Sequence, residues 1–340
     1  MQNCLTAGVH KMSDPPYVSI IVPTYNRCTV IEACIDSLFA LSYPRDRYEV
    51  IIVNDGSSDD TERVLSACEK KAPCAYKWFS QKNSGISSAR NTGINNAIGE
   101  IICFTDDDCV VEKDWVTQLL GGFGKDSVGG VGGAVKAEKQ SNVYDRYAEE
   151  AGLLSQKKFK SMNYLVGCNA AYRKSVLDEV GSFEVFLNAC EDLDLAIKSQ
   201  VMGYTLVYAP EAVVYHLHRT TLKGLFSQQY RNGIGYMRLH KKYVKDFNPG
   251  YNIFIISYRS LFDLIKYPFI FLKALPSRDR KYRIIRPLLD LTVMHANLLG
   301  MIREILSGRQ FLGIKVHEKI PFIEDQSVKA LFGKLRTRIP

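Results

Sequence analysis

The chain contains 340 residues, of which 46% are hydrophobic and 24% are charged; this composition excludes a disordered protein and allows one large domain or two. Its nine cysteines form no CxxC pair and no Cys/His cluster, which argues against a structural zinc site and favours the reduced thiols of a cytosolic protein. The net charge of +8 is uneven, because residues 216–340 carry 23 basic against 8 acidic side chains. This excess of positive charge predicts that the last third of the chain contacts an anionic surface.

Segment 1–16 lacks the apolar core of a signal peptide and is predicted to be a loose leader. After it, apolar runs rich in β-branched residues alternate with segments of helical spacing. Thr29 and Glu32 have the spacing of a capping box, which predicts a helix start there. Strands are predicted at 18–22, 50–53, 76–79 and 101–104, and helices at 30–39 and 85–97. This alternation predicts an α/β fold whose mostly parallel sheet has helices on both faces.

Polar side chains follow three of these predicted strands. Residues 23–26 come after the first strand, Asp55 after the second, and Asp106, Asp107 and Asp108 after the fourth. In such sheets ligands bind beyond the carboxyl ends of the strands. The three loops are therefore predicted to meet at one crevice.

The three consecutive aspartates end a run that reads as a buried strand, residues 101–104. Burying like charges this close together costs several kcal/mol, roughly, unless a cation accompanies them. Hard carboxylate oxygens suit Mg²⁺ or Mn²⁺. The alternative interpretation of the triplet is a solvated acidic turn.

Five sequence blocks together resemble the motifs of glycosyltransferase family 2, whose members have the glycosyltransferase A fold. They occur in the family's order and span residues 17–220, the predicted catalytic domain. The blocks are PTYNR at 23–27, VNDGSSD at 53–59, KNSGISSARN at 82–91, FTDDD at 104–108 and ED at 191–192. The resemblance implies an enzyme that moves a sugar from a nucleotide diphosphate donor, most simply a UDP-sugar.

The resemblance also implies a donor site. Asp55 is expected to accept a hydrogen bond from the base and Tyr25 to stack on it, while Asp106 contacts the ribose. Arg90 is expected either to contact the diphosphate or to hold Asp55 in place, with an ordinary surface arginine as the alternative. The nucleotide-binding residues implied in this way are Pro23, Thr24, Tyr25, Arg27, Asp55, Lys82, Arg90, Asp106 and Asp107.

A divalent cation, Mn²⁺ or Mg²⁺, is implied on the diphosphate. Asp108 is the expected metal ligand, although the assignment between Asp107 and Asp108 stays open by one place. His216, which follows a short predicted strand, is the second expected ligand, because neutral imidazole suits Mn²⁺. A structural histidine is the alternative for His216.

Asp192 is the expected catalytic base, by resemblance to the second acid of the family's ED pair. A single base without a nucleophilic carboxylate implies one displacement and inversion at the anomeric carbon. Acids in a first helical turn also complement the helix dipole, which is the alternative interpretation. The other class of function that the sequence allows is a non-catalytic sensor or scaffold that binds sugar nucleotides. A dehydrogenase and a P-loop kinase are excluded, because GxGxxG after the first strand and GxxxxGK[ST] are both absent.

Residues 221–340 are predicted to be a basic, mostly helical region that contacts the acceptor, a membrane surface or another copy of the chain. The apolar stretch 252–275 is interrupted by Arg259, Lys266 and Pro268, and a basic cluster at 278–286 follows it. This pattern predicts peripheral attachment to the cytoplasmic face of an anionic membrane, near a glycan or lipid-linked acceptor. A soluble appendage or a homo-oligomer interface is the alternative. Nucleic acid is a poorer partner, because no recognisable binding module accompanies the charge.

Overall fold

The computed structural model describes residues 14–138, 142–154, 164–243 and 279–307, together with isolated positions between 261 and 272. Its strands are β1 Val18–Thr24, β2 Tyr48–Asn54, β3 Ala75–Ser80, β4 Ile101–Thr105, β5 Cys109–Val111, β6 Val128–Ala137, β7 Asn169–Arg173 and β8 Thr205–His216. Its helices are α1 Ile31–Phe39, α2 Thr61–Lys71, α3 Ile86–Asn96, α4 Trp115–Leu120, α5 Val143–Ala151, α6 Lys174–Val180, α7 Glu191–Val201, α8 Leu222–Tyr243 and α9 Arg280–Leu306.

The strands form one sheet in the order β3-β2-β1-β4-β7-β6-β8-β5, and its first four strands are all parallel. All residues of β1, β2 and β4 are buried. Successive side chains of a strand point to opposite faces. Ile20 and Val22 accordingly join the core beneath α1 and α2, whereas Ile21 joins the core beneath α3 and α6. The α/β fold with helices on both faces is confirmed.

The second half of the sheet is mixed. β7 runs antiparallel to both β4 and β6, β8 is parallel to β6, and β5 is antiparallel to β8. β5 has only three residues and starts directly after the aspartate triplet, so its pairing with β8 fixes where that triplet lies. The predicted parallel arrangement therefore holds for the half of the sheet that the early motifs occupy.

The predicted capping box at Thr29 and Glu32 is wrong. The residue before α1 is Val30, and none of the described side chains caps this helix end. Glu32 instead accepts a hydrogen bond from the ammonium of Lys71 on α2, at 2.9 Å. Glu32 therefore pairs with a lysine on α2 instead of capping the start of α1.

The boundary predicted at residue 220 falls between β8 and α8, and the division into domains stays a prediction. Most of the leader, residues 1–13, lies outside the described residues, as do Arg259, Lys273 and Arg278. Among the described residues, none of the helices combines the length and the hydropathy that crossing a bilayer requires.

Close contacts at glycines hold α8 and α9 together and against the sheet domain. A Cβ added at Gly233 on α8 would lie 2.1 Å from the carbonyl oxygen of Asn297 on α9, and one at Gly300 would lie 2.1 Å from that of Tyr230. A Cβ at Gly235 would lie 2.3 Å from the carbonyl oxygen of Ala189. Glycine normally weakens a helix interior by about 0.5–1 kcal/mol relative to alanine. Here the missing side chains let the backbones touch.

We expect Gly233→Ala to lower the free energy of unfolding by about 1–3 kcal/mol, because backbone atoms must move to admit the new methyl group. Gly224→Ala is the matched control in the same helix, since its nearest neighbour is the flexible Thr221 side chain at 3.1 Å. Urea unfolding of both variants measures the difference. Equal stability of the two variants would contradict the proposed packing.

Candidate functional site

The crevice begins where β1 and β2 end. Asp55 follows β2, is 5% exposed, and accepts hydrogen bonds from the Gln81 side chain and from the backbone amides of Ser84 and Gly85, at 2.7–2.9 Å. Gly85 has a φ of +91°, a value that favours glycine, and immediately precedes α3. The Asp55 carboxylate is therefore fixed by the loop that leads into α3.

The loops after β1 and β2 are tied together. The backbone amide of Asn26 donates to the hydroxyl of Ser57, and the amide of Ser58 donates to the Asn26 side chain, both at 2.8 Å. Pro23 and Thr24 are buried at the end of β1, and the ring of Tyr25 is 48% exposed beside them. Lys82 is also exposed, in the loop that holds Asp55. These residues leave an open aromatic face and a cation at the rim of the crevice.

Arg90 joins the aspartate triplet to the ED pair. Its guanidinium is 1% exposed and donates to Glu191 at 2.7 Å and to Asp106 at 2.9 Å. A Cβ at Gly167 would lie 2.9 Å from the Arg90 guanidinium nitrogens, so the absent side chain makes room for it. The expectation that Arg90 holds Asp55 is wrong, because the guanidinium of Arg90 lies between the two acidic motifs and donates to Asp106 and Glu191. The surface-arginine alternative is also wrong.

The other two aspartates of the triplet are buried, and arginine side chains lie close to both of them. Asp107 and Asp108 are 7% and 8% exposed, which excludes the solvated acidic turn. Arg27 lies 3.6 Å from Asp107 and 3.3 Å from Asp108, and Arg219 lies 3.6 Å from Asp108. Burial and the neighbouring charge of Asp108 raise the pKa of Asp107 to about 7. The end of β4 thus brings two buried acids together with two arginines.

A candidate metal centre is formed where β5 pairs with β8. Cys109 and His216 are directly opposite each other in this antiparallel pair, and Nε2 of His216 lies 3.3 Å from a carboxylate oxygen of Asp108. One potential ligand atom from each of Asp108, Cys109 and His216 lies within 4.8 Å of the others. Nδ1 of His216 is buried and has no hydrogen-bond partner among the residues that the structure describes.

These donors could hold a divalent cation. Two oxygen or nitrogen ligands of one ion lie within about 4.4 Å of each other at typical metal–ligand distances, and the 3.3 Å between Asp108 and His216 meets this limit. The structure thus brings together the two expected ligands, Asp108 and His216, with Cys109 as a third donor and the guanidinium of Arg219 beside them. Sequence reasoning did not find Cys109, because this residue belongs to an apolar run. What identifies it is its position opposite His216 in the paired strands β5 and β8, which only the structure shows. The ring of His218 lies tilted against that of His216, with 5.0 Å between the ring centres, and burial lowers the pKa of His218 to about 4.

The other acidic motif opens α7. Cys190, just before it, has a φ of +63°, a strained value for a non-glycine residue. The hydroxyl of Tyr164 and the amide of Gly167 both donate to Oδ2 of Asp192, at 2.7 and 3.0 Å. The other oxygen, Oδ1, accepts from the amide of Leu193 at 2.9 Å.

Asp192 is partly exposed, and burial raises its pKa. A partly exposed carboxylate that is oriented by three donors and has a raised pKa has the properties of a general base. Tyr164 carried no motif signal, because its role depends on which acid it meets in the folded chain.

Two family models match the chain. The model described as glycosyl transferase family 2 matches residues 19–181, and the model described as glycosyl transferase family group 2 matches residues 101–302. The second match covers more than half of the chain and includes both acidic motifs.

Curated relatives agree with the family models. The chain is 28% identical over 226 residues to glycosyltransferase AglE of Haloferax volcanii, covering 66% of this chain and 74% of that protein. It is 28% identical over 240 residues to a poly-beta-1,6-N-acetyl-D-glucosamine synthase of Staphylococcus epidermidis, covering 68% of this chain and 57% of that protein. The chain therefore spans little more than half the length of the synthase.

Solved structures share the fold. A mannosyltransferase from Pyrobaculum calidifontis, determined with GDP-Man and Mn²⁺, has a TM-score of 0.59 at 20% identity and covers 96% of this chain and 82% of its own. S. aureus TarS 1–349 with UDP-GlcNAc has a TM-score of 0.51 at 16% identity, covering 86% and 92%. From the family matches, the named relatives and this shared fold, we conclude that the chain is a glycosyltransferase and belongs to glycosyl transferase family 2.

Proposed function

We propose that the protein is an inverting, metal-dependent glycosyltransferase that moves a sugar from a UDP-sugar to a hydroxyl of a glycan or lipid-linked acceptor. The observation that carries this proposal is the Arg90 bridge between Asp106 and Glu191, which connects a candidate cation site to a positioned carboxylate. Residues 17–220 would perform the reaction. Residues 221–340 would contact the acceptor, a membrane surface or another copy of the chain.

In this proposal the donor lies across the ends of the first strands. Asp55 would accept a hydrogen bond from the base, and Tyr25 would stack on that base. Asp106 would contact the ribose, and the positive charge of Arg27 would lie near the diphosphate. Pro23, Thr24 and Lys82 line this part of the crevice, and Arg90 acts through the acids that it holds. A divalent cation bound by Asp108 and His216, with Asp107 beside them, would neutralise charge on the departing diphosphate.

The proposed transfer is a single displacement. The acceptor hydroxyl gives its proton to Asp192 while its oxygen forms a bond to the anomeric carbon. The bond from that carbon to the diphosphate oxygen breaks, and both electrons leave with the nucleotide diphosphate. Attack from the opposite face inverts the anomeric configuration. Tyr164 and Gly167 hold the carboxylate for this step.

The nucleotide and the sugar are tested with a donor panel. Of the two structural neighbours above, one was determined with a GDP-sugar and the other with a UDP-sugar, so both nucleotides belong in the panel. Release of nucleotide diphosphate is followed with and without a membrane extract as acceptor source, beside donor binding by calorimetry. Turnover of one UDP-sugar supports the proposal. Binding without turnover would favour the sensor alternative, and selective turnover of a GDP-sugar would contradict the proposed donor.

Removal of a proposed metal ligand should weaken the binding of the cation. We expect Asp108→Asn and His216→Ala to weaken Mn²⁺ binding by about tenfold or more, measured by electron paramagnetic resonance in the presence of UDP. Asp60→Asn is the matched control, because its side chain is 68% exposed. EDTA should stop turnover, and added Mn²⁺ or Mg²⁺ should restore it. Unchanged Mn²⁺ binding in both ligand variants would contradict the assigned centre.

Removal of the proposed base should stop the chemical step. We expect Asp192→Asn to lower kcat by about 10²–10⁴ with donor binding retained, since general base catalysis contributes a factor of this size. Donor affinity by calorimetry and kcat by product release separate the two effects. A variant with near-normal kcat would remove Asp192 from the mechanism.

The hydrogen bond from Tyr164 should be visible in the pH profile. This bond lowers the pKa of Asp192, so Tyr164→Phe raises that pKa. A base with a higher pKa becomes protonated at higher pH. The acidic limb of the pH profile of kcat/KM should therefore move to higher pH. Tyr204→Phe is the control, because the Tyr204 hydroxyl bonds to Glu179 instead. An unshifted limb in Tyr164→Phe would show that Tyr164 does not position the base.

A further inference from the structure

Two buried thiols lie at the candidate metal centre. Cys109 begins β5 directly after Asp108, and the thiol of Cys168 is its hydrogen-bond partner. Both cysteines are at most 3% exposed. A buried cysteine ordinarily serves as a small apolar residue, and Cys103 in the middle of β4 fits that description. Cys109 differs from Cys103 in the polar groups that surround its sulfur.

The strand pairing brings Cys109 to His216. Residues directly opposite each other in an antiparallel pair share one face of the sheet, with their Cβ atoms about 4.5–5.5 Å apart, and Cys109 is opposite His216. The ring of His216 is 5% exposed, and its Nε2 lies 3.3 Å from a carboxylate oxygen of Asp108. One sulfur, one nitrogen and one oxygen donor therefore lie within 4.8 Å of one another in a buried position.

This mixture of donors indicates which cations the centre prefers. Mg²⁺ takes oxygen ligands, whereas Zn²⁺ binds thiolate sulfur, imidazole nitrogen and carboxylate oxygen, usually in a tetrahedral arrangement. Soft sulfur ligands select such ions over Mg²⁺ and Mn²⁺. Three protein ligands leave one of four positions open, as in catalytic zinc sites and unlike the closed structural ones.

We propose that Asp108, Cys109 and His216 bind a thiophilic divalent cation, with Zn²⁺ as the type, in competition with Mn²⁺ or Mg²⁺. This inference rests on the metal centre of the proposed function and adds a sulfur ligand to it. As the cation binds, the S–H bond of Cys109 breaks, its proton passes to water, and the sulfur forms a bond to the ion. The thiol of Cys168 then donates a hydrogen bond to the thiolate and orients it, as outer-shell partners of metal ligands do.

Co²⁺ serves as the spectroscopic substitute for Zn²⁺, because a cobalt–thiolate bond gives a charge-transfer band in the near ultraviolet. The purified full chain, kept reduced with a phosphine, is titrated with Co²⁺ and then with Zn²⁺. We expect the band to appear with Co²⁺ and to vanish as Zn²⁺ displaces it. Cys109→Ala should remove the band and weaken Zn²⁺ binding by at least about tenfold, a loss that removal of even an outer-shell partner causes.

Cys103→Ala is the matched control, because it removes a buried thiol from the same apolar core. This variant should keep the band and its Zn²⁺ affinity. Urea unfolding checks that both variants are folded. Mn²⁺ binding by Cys109→Ala, measured by electron paramagnetic resonance, should stay close to that of the unmodified chain, because Asp108 and His216 remain.

A measurement on the unmodified chain needs no variant to fold. X-ray absorption of the protein with one equivalent of Zn²⁺ should show a sulfur neighbour at about 2.3 Å from the ion. A shell of nitrogen and oxygen alone would overturn the proposal, as would a Co²⁺ band that persists in Cys109→Ala and so belongs to another thiol.

Failure of this inference and failure of the proposed metal centre give different results. Co²⁺ binding that Asp108→Asn weakens but that shows no thiolate band would overturn the sulfur ligand and leave the Mn²⁺ centre in place. A band that depends on Cys109 and His216, with Mn²⁺ binding unchanged in Asp108→Asn, would support the sulfur ligand and contradict the Mn²⁺ centre.

Discussion

The organisation of the site depends on one buried guanidinium between two groups of acids. Arg90 donates to Asp106 from the triplet after β4 and to Glu191 from the start of α7, segments 85 residues apart in the chain. Acids buried this closely repel, and removal of a buried partner leaves uncompensated charge that costs several kcal/mol, roughly. The positive charge of Arg90 offsets this repulsion, and the missing side chain of Gly167 leaves space for the Arg90 guanidinium. The amide of Gly167 also binds Asp192, so one turn serves both the bridge and the carboxylate.

The two halves of the sheet contribute differently to this arrangement. The parallel strands β1, β2 and β4 end at one edge and deliver Thr24, Asp55 and the triplet as consequences of strand direction alone. The antiparallel pairing of β5 with β8 then places His216 against Asp108, although 108 residues separate them. The early half therefore brings the early motifs to one edge, which is where we propose that the nucleotide binds. The later half supplies the groups that could act on a bound phosphate and its leaving charge.

Sequence reasoning succeeded where a signal is local and failed where a side chain chooses among partners. Buried strands, the acidic triplet and the ED pair are written in continuous runs of residues, so the fold and the crevice could be predicted. Glu32 matched a capping box, yet in the structure it pairs with Lys71 on another helix. Tyr164 has no local pattern that could reveal its bond to Asp192. Such contacts depend on the packing of distant segments, which one sequence does not display.

Contacts between distant segments also organise the helical region, where backbone atoms rather than charged side chains meet. Gly233, Gly235 and Gly300 weaken their own helices, but the backbone contacts that they allow join α8 to α9 and to Ala189 beside the ED pair. On the same side of the molecule, Lys242 and Tyr243 of α8 bind the buried carboxylate of Asp194 on α7, both at 2.7 Å. The helix that begins with Glu191 and carries Asp192 is thus held by α8. Because closely packed interiors transmit strain, a shift of α8 would be passed to α7 through these contacts.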